Sequence, residues 1–133
     1  GAYEIIESQE NIDTLINDST KFIIGIGNND IRKKIQEQLA PSLSWVTVVH
    51  PSAVISYNVV IGEGSVVLAN AVINADSKIG EFTIVDSGVI VDHDCEIGSF
   101  SHLTIGTLVG SNSKLPSATK TSLGQVFNPF TTI

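Results

Sequence analysis

From Ile55 onward an aliphatic residue returns every six positions, with Ile61, Val67, Ile73, Ile79, Val85, Val91, Ile97, Leu103, Val109 and Leu115 in one register. Ile, Val and Leu together make up about three residues in ten, so a chance run of eleven is on the order of one in a million before the six phases are allowed for. Four positions further in each hexad stands a small or β-branched residue: Val59, Ser65, Ala71, Ser77, Thr83, Val89, Cys95, Ser101, Thr107, Ser113 and Thr119. An α-helix repeats about every 3.6 residues and a flat strand about every two, so neither explains a strict six. A coil of three short strands, eighteen residues to the turn, does explain it. The large and small positions then alternate as the residues that face inward, and residues 55–133 make four to five coils.

Such a coil must bend between strands. The position after each aliphatic carries Gly62, Asn74, Gly80, Asp86, Asp92, Gly98 and Gly110, residue types that tolerate positive φ. These positions are therefore the expected bends. After Leu115 the register is expected to break: Pro116 takes a bend position, Thr121 and Phe127 are the next inward sites, and Leu123-Gly124 reads as a restart with two residues inserted.

Before the repeats, residues 21–27 read as a short buried strand ending in a turn. Asn28, Asn29 and Asp30 offer a helix N-cap ahead of Ile31, Ile35 and Leu39, which are spaced for one apolar face, and Pro41 stops that helix. An earlier helix is expected over residues 10–16, and a strand from Trp45 to Val49. The chain thus divides into a small α/β segment, residues 1–50, and a solenoid, residues 51–133.

The totals narrow the function. Seven basic residues against fourteen acidic ones leave a net charge of −7, which gives a nucleic-acid backbone nothing to bind. No uncharged stretch has the composition of a membrane span, a single cysteine makes no internal disulfide, and no leader opens the chain, so a cytoplasmic protein is expected. Gly1-Ala2 is set aside as a scar.

Three runs, GIGNNDIRKKI (25–35), VVHPSAVIS (48–56) and VDHDCEIGSFSHLTIG (91–106), together with the hexads, resemble the hexapeptide-repeat sugar O-acyltransferase family. That family includes sialic acid O-acetyltransferases and nucleotide-4-aminosugar N-acetyltransferases. The resemblance implies a left-handed parallel β-helix, a hand that the period alone does not give, since parallel crossovers are normally right-handed. It also implies a Rossmann-like amino-terminal unit, shortened here at its start, and a solenoid shortened at its end. The expected partners are acetyl-CoA as co-substrate, a sugar or amino-sugar acceptor and two further copies of the chain. A homotrimer with active sites between subunits follows, supported by flat Val- and Ile-rich faces.

Acetyl transfer from a thioester needs a base for the attacking hydroxyl or amine and a slot for pantetheine, and histidine suits the first task. His93 falls two residues after the inward Val91 and His102 one residue before the inward Leu103, so both point away from the core. The resemblance places the general base on His93 and an orienting carboxylate on Asp94, with His102 lining the acyl pocket. Asp92 stands between a turn role and a supporting carboxylate. Gly106 and Gly110 are candidates for close backbone approach by the cofactor, and Lys114 and Lys120 for its phosphates. Gly25 and Gly27, a bare GxG, read equally as a tight turn. Cys95 occupies an inward small position and reads as a packed thiol, and His50 as structural. No metal is expected: zinc-holding solenoids set two histidines five residues apart, whereas His93 and His102 are nine apart without a third ligand. The alternative to an enzyme is a non-catalytic trimeric remnant that acts as a binding or structural module.

Overall fold

The computed structural model of the chain describes residues 9–39 and 43–133. A 3-10 turn (Gln9–Thr14) and one helix, α1 (Asn29–Leu39), precede a left-handed parallel β-helix of about four turns. Its strands are two residues long and form three sheets. The first holds β1 (Val48–Val49), β4 (Val66–Val67), β7 (Ile84–Val85) and β10 (His102–Leu103). The second holds β2 (Val54–Ile55), β5 (Val72–Ile73), β8 (Ile90–Val91), β11 (Leu108–Val109) and β13 (Val126–Phe127), and the third β3 (Val60–Ile61), β6 (Lys78–Ile79), β9 (Glu96–Ile97) and β12 (Lys114–Leu115). Each strand pairs in parallel with the one eighteen residues on, as in Val66↔Ile84 and Lys78↔Glu96. Ladder bonds such as Gly62 N–H to Ile79 O, 2.8 Å, run along the coil axis.

From Ser65 to Leu115 the inward register is as the hexads predict, whereas Ile55, in the first coil, is 37% exposed. Val67, Ile73, Val85, Val91 and Leu103 are wholly buried, and so are Ser65, Ala71, Ser77, Thr83, Val89, Cys95, Ser101, Thr107 and Ser113. Hydroxyls survive in this core because each is satisfied twice. Ser77 Oγ donates to Asp92 O at 2.7 Å and accepts from Cys95 N at 3.0 Å. Thr83 Oγ1 donates to Gly98 O at 3.2 Å and accepts from Ser101 N at 3.3 Å. Ser65, Ser101 and Ser113 repeat the arrangement. An unpaired hydroxyl at such a site would cost about 1–3 kcal/mol.

Two expectations about the coil are corrected. The bends with positive φ fall three residues after each inward aliphatic, at Asn58, Gly64, Asn70, Asp76, Phe82, Gly88, Asp94, Phe100, Gly106, Asn112, Ala118, Gly124 and Phe130. Even Phe82 (φ 51°) and Phe100 (φ 58°) adopt that conformation, because their N–H groups are tied to Glu81 or Glu63 carbonyls in the preceding coil, Phe82 to Glu63 at 2.9 Å and Phe100 to Glu81 at 2.8 Å. Gly62, Gly80 and Gly98 serve close approach instead: a Cβ there would strike the backbone nitrogens of Glu81, Ser99 and Ser117, one coil on. The second correction concerns residues after Leu115, where the register continues without insertion. Val126↔Leu108 and Phe127↔Val109 pair eighteen apart, and Leu123-Gly124 is an ordinary bend. Thr121 takes an inward position because its hydroxyl bonds to Thr104 N and Thr107 Oγ1, both at 2.7 Å.

The amino-terminal segment also differs from its pattern. Residues 21–27 form no strand: Phe22 makes a single parallel bridge to Trp45, Ile24 is buried, and Ile23 and Ile26 are exposed. The strand expected from Trp45 is confined to Val48–Val49 and already belongs to the solenoid's first sheet. The helix expected over residues 10–16 is the 3-10 turn Gln9–Thr14. Asn28 does cap α1, its Oδ1 accepting from Ile31 N at 3.0 Å. Yet Ile31 is 47% exposed, and the buried residues of the helix are Asn29 and Arg32. The helix ends at Leu39; Pro41 lies outside the described residues.

Arg32 explains this inversion. Its guanidinium donates to Phe82 O (2.7 Å), Ile26 O (2.8 Å), Asn29 Oδ1 (2.7 Å), Phe100 O (3.0 Å) and Ser101 O (3.0 Å). The surface that α1 meets is a column of corner carbonyls, over which Phe82 stacks on Phe100 and edges onto Trp45. A polar helix face matches it, and an apolar one would leave those carbonyls unpaired.

The two classes of glycine are separable by mutation. Gly80→Ala puts a Cβ into the next coil's backbone and is expected to cost roughly 3 kcal/mol. Gly88→Ala, at φ 67° with open space around it, is expected to cost about 1 kcal/mol. Urea unfolding of both variants checks the ordering, which reverses if the bend conformation rather than coil spacing sets the requirement.

Candidate active site

Strand β8 ends at Val91, and the chain turns through Asp92, His93 and Asp94 before β9, at the corner joining the second and third sheets. Ladder bonds fix this corner from both sides. Asp92 N donates to Val109 O at 2.9 Å, Asp94 N to Ala75 O at 3.0 Å, and Asn112 N to His93 O at 3.1 Å. Asp94 is the positive-φ residue of the turn, with φ 57°. That geometry swings its carboxylate back beside the imidazole, where Oδ2 lies 2.7 Å from His93 Nδ1.

The side chains of His93 and Asp94 are each 52% exposed, so the pair stands in solvent. The hydrogen bond that the imidazole donates to Asp94 holds the His93 pKa above its ordinary 6.5, with the charges of Asp92, Asp94 and Asp76 adding to it. Asp92 Oδ1 accepts from His93 N at 2.9 Å and from Asn74 Nδ2 at 3.1 Å. Those bonds, Asn74 first, keep the Asp92 carboxyl below its usual range. An open depression of about 480 Å³ lies against the corner, lined by Ser56, Tyr57, Asn74, Ala75, Asp76, His93 and Asp94.

The other candidates are dispersed. His102 lies on the first sheet, in β10, with its side chain 12% exposed beneath the amino-terminal segment. Its Nδ1 lies 3.1 Å from Gly27 O and 3.2 Å from Lys120 Nζ, and its Nε2 lies 3.4 Å from Asp86 Oδ2. Within one chain, therefore, His93 and His102 are not brought together. Gly110 stacks under Asp92 in the same corner column, and a Cβ on it would lie 2.5 Å from Pro129 N. Gly106 sits at the bend before β11 with φ 70°, and a Cβ there would meet only Gly124 Cα, at 3.8 Å. Lys114 pairs with Glu96 at 3.2 Å. Cys95 is buried, and burial pushes its thiol pKa up, which suits a packed thiol. Among the described residues no three His, Cys, Asp or Glu side chains are grouped to hold a metal ion, and no helix is long and apolar enough to cross a membrane.

Asn74 is the residue that the hexads did not single out for chemistry. The signal was there in the eighteen-residue period, which puts position 74 directly against position 92.

Residues 1–39 match the model of the PglD N-terminal domain family. Among curated proteins, UDP-N-acetylbacillosamine N-acetyltransferase of Bacillus subtilis (strain 168) is 45% identical over 49 residues, which cover 36% of this chain and 23% of that protein. Among solved structures, a mutant of perosamine N-acetyltransferase from Caulobacter crescentus in complex with CoA and GDP-perosamine superposes with a TM-score of 0.71 at 29% identity, over 85% of this chain and 63% of that one. The acetyltransferase domain of PglB from Neisseria gonorrhoeae FA1090 gives 0.59 at 30% identity over 90% of this chain and 64% of that one, and its complex with acetyl coenzyme A gives 0.55 at 31% identity over 90% and 63%. The chain spans less than two thirds of each of these relatives. In sequence at the amino terminus, and in sequence and fold through the solenoid, the chain is thus similar to the hexapeptide-repeat sugar N-acetyltransferases.

Proposed function

We propose that the chain carries the catalytic solenoid of an acetyl-CoA-dependent acetyltransferase that acts on the amine of an amino sugar, with His93 as general base. The observation that carries this reading is the solvent-facing His93–Asp94 pair on a rigid corner, in a chain similar to proteins solved with CoA and with GDP-perosamine. The amine nitrogen attacks the thioester carbonyl while His93 Nε2 takes its proton. Asp94, held at Nδ1, keeps the tautomer that leaves Nε2 free and stabilises the imidazolium that forms. Collapse of the tetrahedral intermediate then expels the CoA thiolate, which is protonated as the amide forms.

Asp92 supports the corner, Gly106 and Gly110 offer backbone to the pantetheine arm, and His102 lines the acyl pocket. Because His93 and His102 stand on different faces of one chain, that pocket is complete only between chains, in a homotrimer. The outward residues of the second sheet support such packing: Val54, Val72, Ile90, Leu108 and Val126 form a continuous aliphatic ladder, with Val54 56% and Val126 60% exposed. Of the two parts expected over residues 1–50 and 51–133, the first lies on the acceptor side, and the solenoid reaches back to β1 at Val48–Val49.

His93→Ala is expected to lower kcat for acetyl transfer to amino-sugar nucleotides about 10²–10⁴-fold, with the oligomer unchanged. Turnover at the wild-type level would exclude His93 as the base. The base must be neutral, so activity rises with pH through the elevated His93 pKa, and the acid limb of kcat/KM is expected above 6.5. Asp94→Asn removes the largest cause of that elevation and moves the limb to lower pH, alongside a loss of kcat; a limb that stays in place in this variant assigns it to another group. Multi-angle light scattering of the wild-type chain at micromolar concentration is expected to give three times the chain mass, and a monomer contradicts the shared pocket.

A further inference from the structure

The corner that holds His93 is made by a column of residues eighteen apart: Ser56, Asn74, Asp92, Gly110 and Asn128. One contact in it has a chemical direction. An ionised carboxylate only accepts hydrogen bonds, so the 3.1 Å contact between Asn74 and Asp92 Oδ1 fixes which end of the Asn74 amide faces Asp92. The NH₂ group donates. The same oxygen, Oδ1, accepts the backbone N–H of His93 at 2.9 Å, while Ser77 Oγ holds the Asp92 carbonyl at 2.7 Å. The Asp92 side chain is therefore braced from the coil above and in turn braces the peptide from which the imidazole projects. Asn74 also lines the depression in front of His93.

We propose that Asn74 is a positioning residue for His93, acting through the carboxylate of Asp92. The inference rests on the reading of His93 as the base but adds a residue to it. Without the Asn74 amide, Oδ1 of Asp92 is free to turn towards water, and the N–H of His93 loses the acceptor that sets the pitch of the turn. The imidazole then samples more orientations, and the transition state is met less often, although acetyl-CoA and acceptor still bind. A loss of this kind falls on kcat rather than on KM.

Asn74→Ala is expected to lower kcat about tenfold, with acceptor KM changed less than about twofold. Hydrogen exchange of the His93 amide, read by NMR on the 133-residue chain without any substrate, is expected to accelerate about tenfold, while inward amides such as that of Val91 keep their protection. Asn74→Asp gives a pH signature. The ionisable groups facing the corner are Tyr57, Asp76, Asp92, His93 and Asp94, with Cys95 beneath them. At neutral pH the introduced carboxylate repels Asp92, and once protonated it can donate in place of the amide. Turnover of Asn74→Asp relative to wild type therefore rises as pH falls. An unchanged His93 exchange rate in Asn74→Ala, a kcat within twofold of wild type, or a flat pH ratio for Asn74→Asp overturns the proposal. Absence of acetyl transfer by the wild-type chain overturns the functional reading instead, and the exchange measurement still decides whether Asn74 braces His93.

Discussion

Successive coils lie one strand spacing apart, about 4.8 Å, and each residue stands against the one eighteen positions later. That spacing leaves little latitude at any position. Where the corner backbones of neighbouring coils come closest there is no volume for a Cβ, hence Gly62, Gly80 and Gly98 in one column. Where the small inward residue sits, the space admits a hydroxyl but no long aliphatic, and the adjoining coils supply both a carbonyl and an N–H at bonding distance. Serine and threonine therefore fill the core of this solenoid without the penalty that usually keeps them out of cores. From Asp76 onward the αL residue at each bend returns its N–H to a carbonyl of the preceding coil.

The candidate site is a product of the same stacking. His93 is oriented by Asp94 beside it in sequence, but the peptide that carries it is held by residues from other coils, Asn74, Ala75, Val109 and Asn112. The inward register and the corner position of His93 were legible in the sequence because they depend on periodicity, which a linear reading captures directly. The bend positions were less legible, because glycine answers two different demands in this coil. At Gly80 glycine answers a clash, whereas at Phe82 the backbone ladder imposes positive φ on an aromatic residue that composition would never nominate. The continuity beyond Leu115 was hidden for a related reason: Thr121 is inward by virtue of its hydroxyl bonds to Thr104 and Thr107, and polarity counts against it in a hydrophobic pattern.

The amino-terminal segment was less legible, and the reason is the nature of the surface it meets. Apolar spacing in α1 points to Ile31, Ile35 and Leu39 as the inward face, yet the solenoid presents carbonyl oxygens of Phe82, Phe100 and Ser101 at that corner. Those oxygens converge because Phe82 and Phe100 are αL residues stacked eighteen apart, a feature that exists only once the coil is formed. Burying a guanidinium costs several kcal/mol, and burial lowers the Arg32 pKa accordingly. Five acceptors with no formal charge among them offset that cost, so no carboxylate in the sequence marks the site. Asn29 adds to the joint by donating to Ala118 O at 3.1 Å, which extends the contact to a third coil.

Because the core consumes only two positions in six, the outward positions are free to differ between the three faces, and they do. The third sheet shows Lys78, Glu96 and Lys114 in one solvated column, in which Lys114 pairs with Glu96. The first sheet shows Val48, Val66, Ile84 and His102, and the amino-terminal segment reaches over its His102 end through Gly27. The second sheet shows aliphatic residues in every coil, and among the described residues no element of the chain lies over Ile90 or Leu108, which remain about 40% exposed. His93 stands at the boundary between that aliphatic face and the charged one. In the proposed function this boundary sets the imidazole at the rim of the aliphatic face, where apolar walls would exclude water while the acceptor enters from the charged side. The inward hexads thus account for the coil, and the outward column that each coil adds to a face accounts for where chemistry can be placed on it.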